Sequence, residues 1–107
     1  MAKHRVDELD FDAAEEFFAE LPQYRHLRVR RRADLLTIES GNPQDPVRHA
    51  RLRQVTVQWY RLEMPTHTGR WETTPFRDDL MVLLELLVTV FGWTLAPIEE
   101  PPRDKSL

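Results

Sequence analysis

The sequence predicts an α+β domain: an N-terminal helix, a four-stranded antiparallel meander sheet and a C-terminal helix packed on that sheet. Three observations predict it. Apolar residues recur at helical spacing near both ends of the chain, they switch to a period of two in the middle, and loop-forming residues punctuate that middle at short intervals. A length of 107 residues suits one domain with a modest core, and 41% hydrophobic content supplies that core. Residues 1–96 are read as the domain, and 97–107, rich in acids and prolines, as a mobile C-terminal tail.

The first helix is expected from Asp10 or Asp12 to Leu21, with Asp12 and Glu15 spaced as a capping box and Pro22 as its stop. Leu9, Ala13, Phe17 and Leu21, joined by Ala14 and Phe18, form its apolar stripe. From Tyr24 the alternation sends Leu27, Val29 and Arg31 to one side and His26, Arg28, Arg30 and Arg32 to the other. With Ala33-Asp34 at a hairpin tip, Val29 falls opposite Ile38 and Arg31 opposite Leu36. The other face then sets Arg28 against Glu39 and Arg30 against Thr37, which is favourable cross-strand chemistry.

Gly41 to Pro46 is a loop, and one long strand is expected after it, from about Arg48 to Met64. Its apolar residues change phase between Leu52, Val55 and Tyr60, so a bulge, a strong bend or cover on both faces is required. A loop at Pro65–Thr68 leads into the fourth strand. Charge favours a register with Leu62 opposite Trp71, Glu63 against Arg70 and Arg61 against Glu72. The final helix is expected to use Thr74 as N-cap and Pro75 at its first position, with Gly92 as terminator. Its core stripe is Phe76, Leu80, Leu83, Leu84, Leu87 and Phe91, and Trp93-Thr94-Leu95 adds a short strand. The order of elements is similar to that of cystatin-like folds. The likeness is one of order alone, and such folds host unrelated functions.

Composition closes off several classes of chemistry. With no cysteine there is no disulfide framework and no thiolate metal site. Three widely separated glycines cannot write a phosphate-cradling loop, and Ser40 and Ser106 lie outside any nucleophile-elbow setting. The histidines His4, His26, His49 and His67 have no ligand spacing, so no catalytic residue, metal or cofactor is assigned. The apolar run Leu80–Trp93 is interrupted by Glu85 and too short for a bilayer, and the N-terminus lacks a secretory apolar segment. A cytoplasmic protein without membrane attachment is the expectation.

The net charge of −3 hides an asymmetry: residues 1–23 carry −5, residues 24–77 carry +6 and residues 78–107 carry −4. Three surfaces follow from the patterning. Met81, Val82, Leu86 and Val90 make the back of the last helix apolar, which leads to a small non-catalytic protein-interaction or self-associating domain, a homo-oligomer or a protein partner. Arg28, Arg30 and Arg32, with Arg51 and Arg53, form a row suited to an anion or nucleic acid, although an acidic chain disfavours nucleic acid. Trp59, Tyr60 and Trp71 mark a small-ligand pocket beneath a bent sheet.

Overall fold

Alternating short strands and tight turns in the middle of the chain produce a meander, and two amphipathic helices cover one of its faces. A computed structural model describes residues 5–97. The tail expected after Ala96 falls, apart from the exposed Pro97, outside the described residues. Element order is α1 (Glu8–Ala19), β1 (Arg28–Arg32), β2 (Leu35–Ser40), β3 (Val47–Thr56), β4 (Trp59–Pro65), β5 (Trp71–Asp78) and α2 (Leu80–Val90). Short 3-10 turns stand at Pro22–Tyr24 and Gly92–Leu95. The α+β class and the meander are as expected, but the sheet has five antiparallel strands in the order β1-β2-β3-β4-β5, not four.

The extra strand comes from a turn that carries no sequence mark. The expected strand from Arg48 to Met64 is two, β3 and β4, reversing at Val57-Gln58. Neither Gly, Pro nor Asn stands there, and the Gln54 side-chain amide holds the turn by donating to the Val57 carbonyl at 3.0 Å. Val57 and Trp59, counted among strand apolars, are exposed at this corner. The phase change is accommodated by a register shift between Gln54 and Thr56, which leaves Val55 unpaired as a bulge.

The first hairpin has the expected register, with Arg28 opposite Glu39, Val29 opposite Ile38, Arg30 opposite Thr37 and Arg31 opposite Leu36. Its tip places Ala33 at φ 53°, a left-handed conformation that non-glycine residues adopt at a cost. Two backbone bonds hold it there: Val6 N–H donates to the Ala33 carbonyl at 3.0 Å, and Gln54 N–H to that of Asp34 at 2.8 Å.

The expected β4–β5 register is wrong. Pro65 faces Trp71, Met64 faces Glu72, Glu63 faces Thr73 and Arg61 faces Arg77. Thr66 to Gly69 make a tight turn, with Gly69 at φ 86°, so the strands run closer to the loop than charge matching suggested. Thr74 and Pro75 do not start the last helix. They form a bulge inside β5, where Pro75 cannot donate to the ladder. The Thr74 hydroxyl takes its place, donating to the Leu62 carbonyl at 2.8 Å and accepting from Phe76 N–H at 3.2 Å. The N-cap of α2 is Asp79, whose carboxylate accepts from Val82 N–H at 3.0 Å. Phe76 is therefore a strand residue, packed edge-on against Phe91 with ring centroids 5.8 Å apart. Trp93-Thr94-Leu95 lies in a 3-10 turn, not a strand.

At the other end, α1 starts earlier than the Asp12–Glu15 pattern suggested, because Asp7 caps it by accepting from Asp10 N–H at 2.8 Å. Ala14 and Phe18 are its buried residues, whereas Leu9 is exposed. The core lies between the helices and one sheet face. Phe18, Leu36, Ile38, Leu52, Tyr60, Leu62, Leu83, Leu84, Leu87 and Leu95 fill it. Tyr60 brings a hydroxyl into this layer, and it donates to Asp10 Oδ2 at 2.6 Å. Burial and the neighbouring Asp10 carboxylate push that phenol far above its usual range. Among the described residues no element covers the opposite sheet face.

Candidate functional site

Strand alternation sends the arginines to the bare face, and register puts carboxylates among them. That face carries Arg28, Arg30, Arg32, Arg48, Arg51, Arg53, Arg61 and Arg77 against Asp34, Glu39 and Glu63, an excess of five positive charges. Glu39 and Glu63 point away from the core yet are only 2% and 4% exposed. Arginine side chains cover them, and two of the guanidinium nitrogens, Arg28 Nη2 and Arg61 Nε, are themselves buried.

Glu63 is the centre of the larger network. One of its oxygens accepts from Arg51 Nε, and the other accepts from Arg53 Nε at 3.2 Å. Arg61 Nε stands 4.0 Å from that second oxygen. Arg53 also donates to Asp34 Oδ2 at 3.0 Å. Burial alone would raise the Glu63 pKa, but the bonds and charges of Arg51 and Arg53 outweigh it and hold the group below the usual carboxylate range. Glu39 anchors a second unit: Arg28 donates from Nε to Glu39 Oε2 at 3.0 Å and from Nη1 to the Gly41 carbonyl at 2.7 Å. The Arg51 guanidinium lies over the Trp71 ring, with its carbon 4.4 Å from the ring centroid.

Among these fixed groups lies a depression of about 300 Å³, bordered by Arg30, Arg32, Arg48 and Arg51, with Thr37, Leu35, Glu39 and Trp71. Arg30, Arg32 and Arg48 have no carboxylate partner among the described residues. All five arginines singled out from the sequence thus share one face. Arg28, Arg51 and Arg53 are tied to acids, and Arg30 and Arg32 are exposed. Arg48 was missed because the loop before it hides its place in the hairpin. Its alignment with Glu39 depends on a bulge that leaves His49 unpaired between Ile38–Ala50 and Glu39–Arg48.

That bulge also builds a polar cluster on the helix side. His49 is buried, with Nδ1 2.7 Å from the Thr94 carbonyl and Nε2 2.7 Å from Ser40 Oγ. A carbonyl only accepts, so Nδ1 carries the proton and Nε2 accepts from the serine hydroxyl. His26 donates from Nε2 to the next carbonyl, Leu95, at 2.6 Å, and its ring centroid is 6.0 Å from that of His49. Two imidazoles therefore clamp the C-terminal 3-10 turn to the sheet. The convergence of His26 and His49 had no sequence signal, since it depends on the hairpin and on the fold-back of residues 92–95. Beside the clamp is a second cleft, about 660 Å³, lined by His49, Arg48, Met64, Phe91 and Trp93 among others.

The remaining expected sites separate. Tyr60 is in the core, Trp59 opens β4, and Trp71 stands opposite the far end of that strand. Six residues of strand, about 20 Å, divide the two tryptophans, so no pocket joins the three. On α2, Met81, Val82 and Val90 are about half exposed, while Leu86 is partly buried against the core. No cluster of three or more metal-ligating side chains occurs among the described residues, and no described helix is long and apolar enough to cross a membrane. No family model, curated protein or solved structure matches the chain.

The histidine clamp sets a pH dependence. Desolvation lowers the His49 pKa below its ordinary 6.5, partly offset by the Thr94 bond and reinforced by His26. The folded state thus binds its proton later than the unfolded chain does, and stability present above about pH 6.5 is lost as pH falls toward the lower folded value. Melting temperature should fall between pH 7.5 and pH 5 in wild type. His49→Gln should be less stable at pH 7.5 and show a shallower decline. Equal slopes in the two proteins would show that His49 does not carry the effect.

Proposed function

We propose that this protein is a non-catalytic binding domain whose bare arginine face takes a discrete phosphate-bearing anion. The observation that carries the reading is the pair of buried carboxylates, Glu39 and Glu63, beneath guanidinium groups that they fix in place. A guanidinium already held by one carboxylate has lost its rotamer freedom before a ligand arrives. Arg30, Arg32 and Arg48 add charge without a competing acid among the described residues. Arginine binds charge but supplies neither nucleophile nor base at neutral pH, so binding is the fitting role.

Size and charge favour a discrete anion over a nucleic-acid duplex. The depression of about 300 Å³ accommodates a small polar ligand. The chain as a whole is acidic, at −3, and repels a long polyanion beyond the basic face. Calorimetry with inorganic pyrophosphate should detect binding that weakens from 50 to 200 mM salt, in roughly the manner of other counterion-releasing contacts. The triple variant Arg30→Ala, Arg32→Ala, Arg48→Ala should lose at least about tenfold in affinity, the scale of one or two charge-assisted hydrogen bonds. Unchanged affinity in the triple variant would reject the face as the site.

The half-exposed Met81, Val82 and Val90 of α2 support a second reading, self-association through this helix, with the partly buried Leu86 beside them. Light scattering at high concentration should then find a dimer that Val82→Glu dissociates, and a monomer under all conditions would remove it.

A further inference from the structure

The second cleft lies at the end of the sheet where β3 begins, β4 ends and β5 begins. Its wall is largely apolar, with Met64, Phe91 and Trp93 among its lining, and its volume of about 660 Å³ is in the range of small-molecule sites. Trp93 is 76% exposed at the rim, an uncommon position for a large aromatic side chain that nothing described covers. His49 closes one side with both nitrogens committed to Ser40 and Thr94, so it presents ring carbon to the cleft.

One residue joins this cleft to the arginine depression. Arg48 lines both, the first on the helix side of the sheet and the second on the bare side. The Pro65–Trp71 pair reinforces the junction, because Pro65 lines the cleft and its partner Trp71 lines the depression. Apolar wall and cationic depression therefore meet around the start of β3. Glu72, the acid lining the cleft, belongs to β5, two strands away from Arg48, or about 10 Å in the sheet direction. Its charge turns an anionic group away from the β5 side and toward β3.

We propose that the ligand is an amphipathic anion, with its anionic group held by Arg48 and the neighbouring arginines and its apolar body laid in the cleft against Met64, Phe91 and Trp93. The phosphate-face reading supplies the head group, and this inference rests on it while adding the apolar half of the ligand. Bulk in the cleft should cost affinity only for ligands with an apolar body, and loss of Arg48 should cost affinity for every anion.

Calorimetric titration with inorganic phosphate, octyl phosphate and uncharged octyl glucoside tests this. Octyl phosphate should bind at least about tenfold tighter than inorganic phosphate, since burying even two methylenes is worth that much. Two variants at exposed positions, Trp93→Ser and Ala96→Trp, should each return octyl phosphate to the affinity of inorganic phosphate and leave inorganic phosphate unchanged. Arg48→Ala should weaken both phosphates. Equal binding of the two phosphates to wild type would overturn the cleft inference and leave the arginine reading standing. Octyl glucoside binding as tightly as octyl phosphate, with no binding of inorganic phosphate, would overturn both the amphipathic-anion assignment and the arginine reading.

Discussion

The burial of Glu63 under arginine is the constraint on which the bare face of the sheet depends. A carboxylate that is 4% exposed cannot stay ionised without partners, and Arg51 and Arg53 supply them from the adjacent strand. The same bonds fix the two guanidinium groups, one of which stacks on Trp71. The bare face is therefore ordered by charge in the way the opposite face is ordered by apolar packing. In β1, which has four arginines in five residues and lies at the sheet edge, Glu39 neutralises Arg28, while Arg30, Arg31 and Arg32 are exposed to solvent. Edge strands rich in cations resist pairing with other chains, so the arginines protect the edge as well as line the face.

The end of the sheet near Ser40 and Val47 gathers most of the remaining polar structure. There the His49 bulge turns one residue inward that strict alternation would send outward. The displaced ring holds the Thr94 carbonyl while His26 holds that of Leu95, and Leu95 itself is fully buried. A 3-10 turn with little helical stability of its own is in this way fastened from two sides. Arg48, next to the bulged residue, is left at the boundary between the two faces.

Sequence periodicity made the first hairpin legible down to its residue pairs, because Val29, Leu36 and Ile38 alternate cleanly and Arg28 meets Glu39. It failed where a turn lacks turn residues, as at Val57-Gln58, and where a Pro that resembles a helix start sits in a strand bulge, as at Pro75. The arginine row was legible as a row, and its acid partners were only partly so. Glu39 could be placed by hairpin register, but Glu63 was matched to Arg70, since the strand that supplies Arg51 and Arg53 was read as one with its own. Arg48 and the histidine clamp depend on a bulge and a distant fold-back, and neither leaves a trace in local spacing.

The central claim is that buried carboxylates hold an arginine array ready for an anion. NMR of the arginine Nε–Hε groups, recorded with increasing phosphate, tests it most directly. The account expects slowly exchanging Nε–Hε signals for Arg51 and Arg53 before phosphate is added, and phosphate-dependent shifts at Arg30, Arg32 and Arg48. Averaged, rapidly exchanging signals for Arg51 and Arg53, with no phosphate-dependent shift on the face, would contradict it.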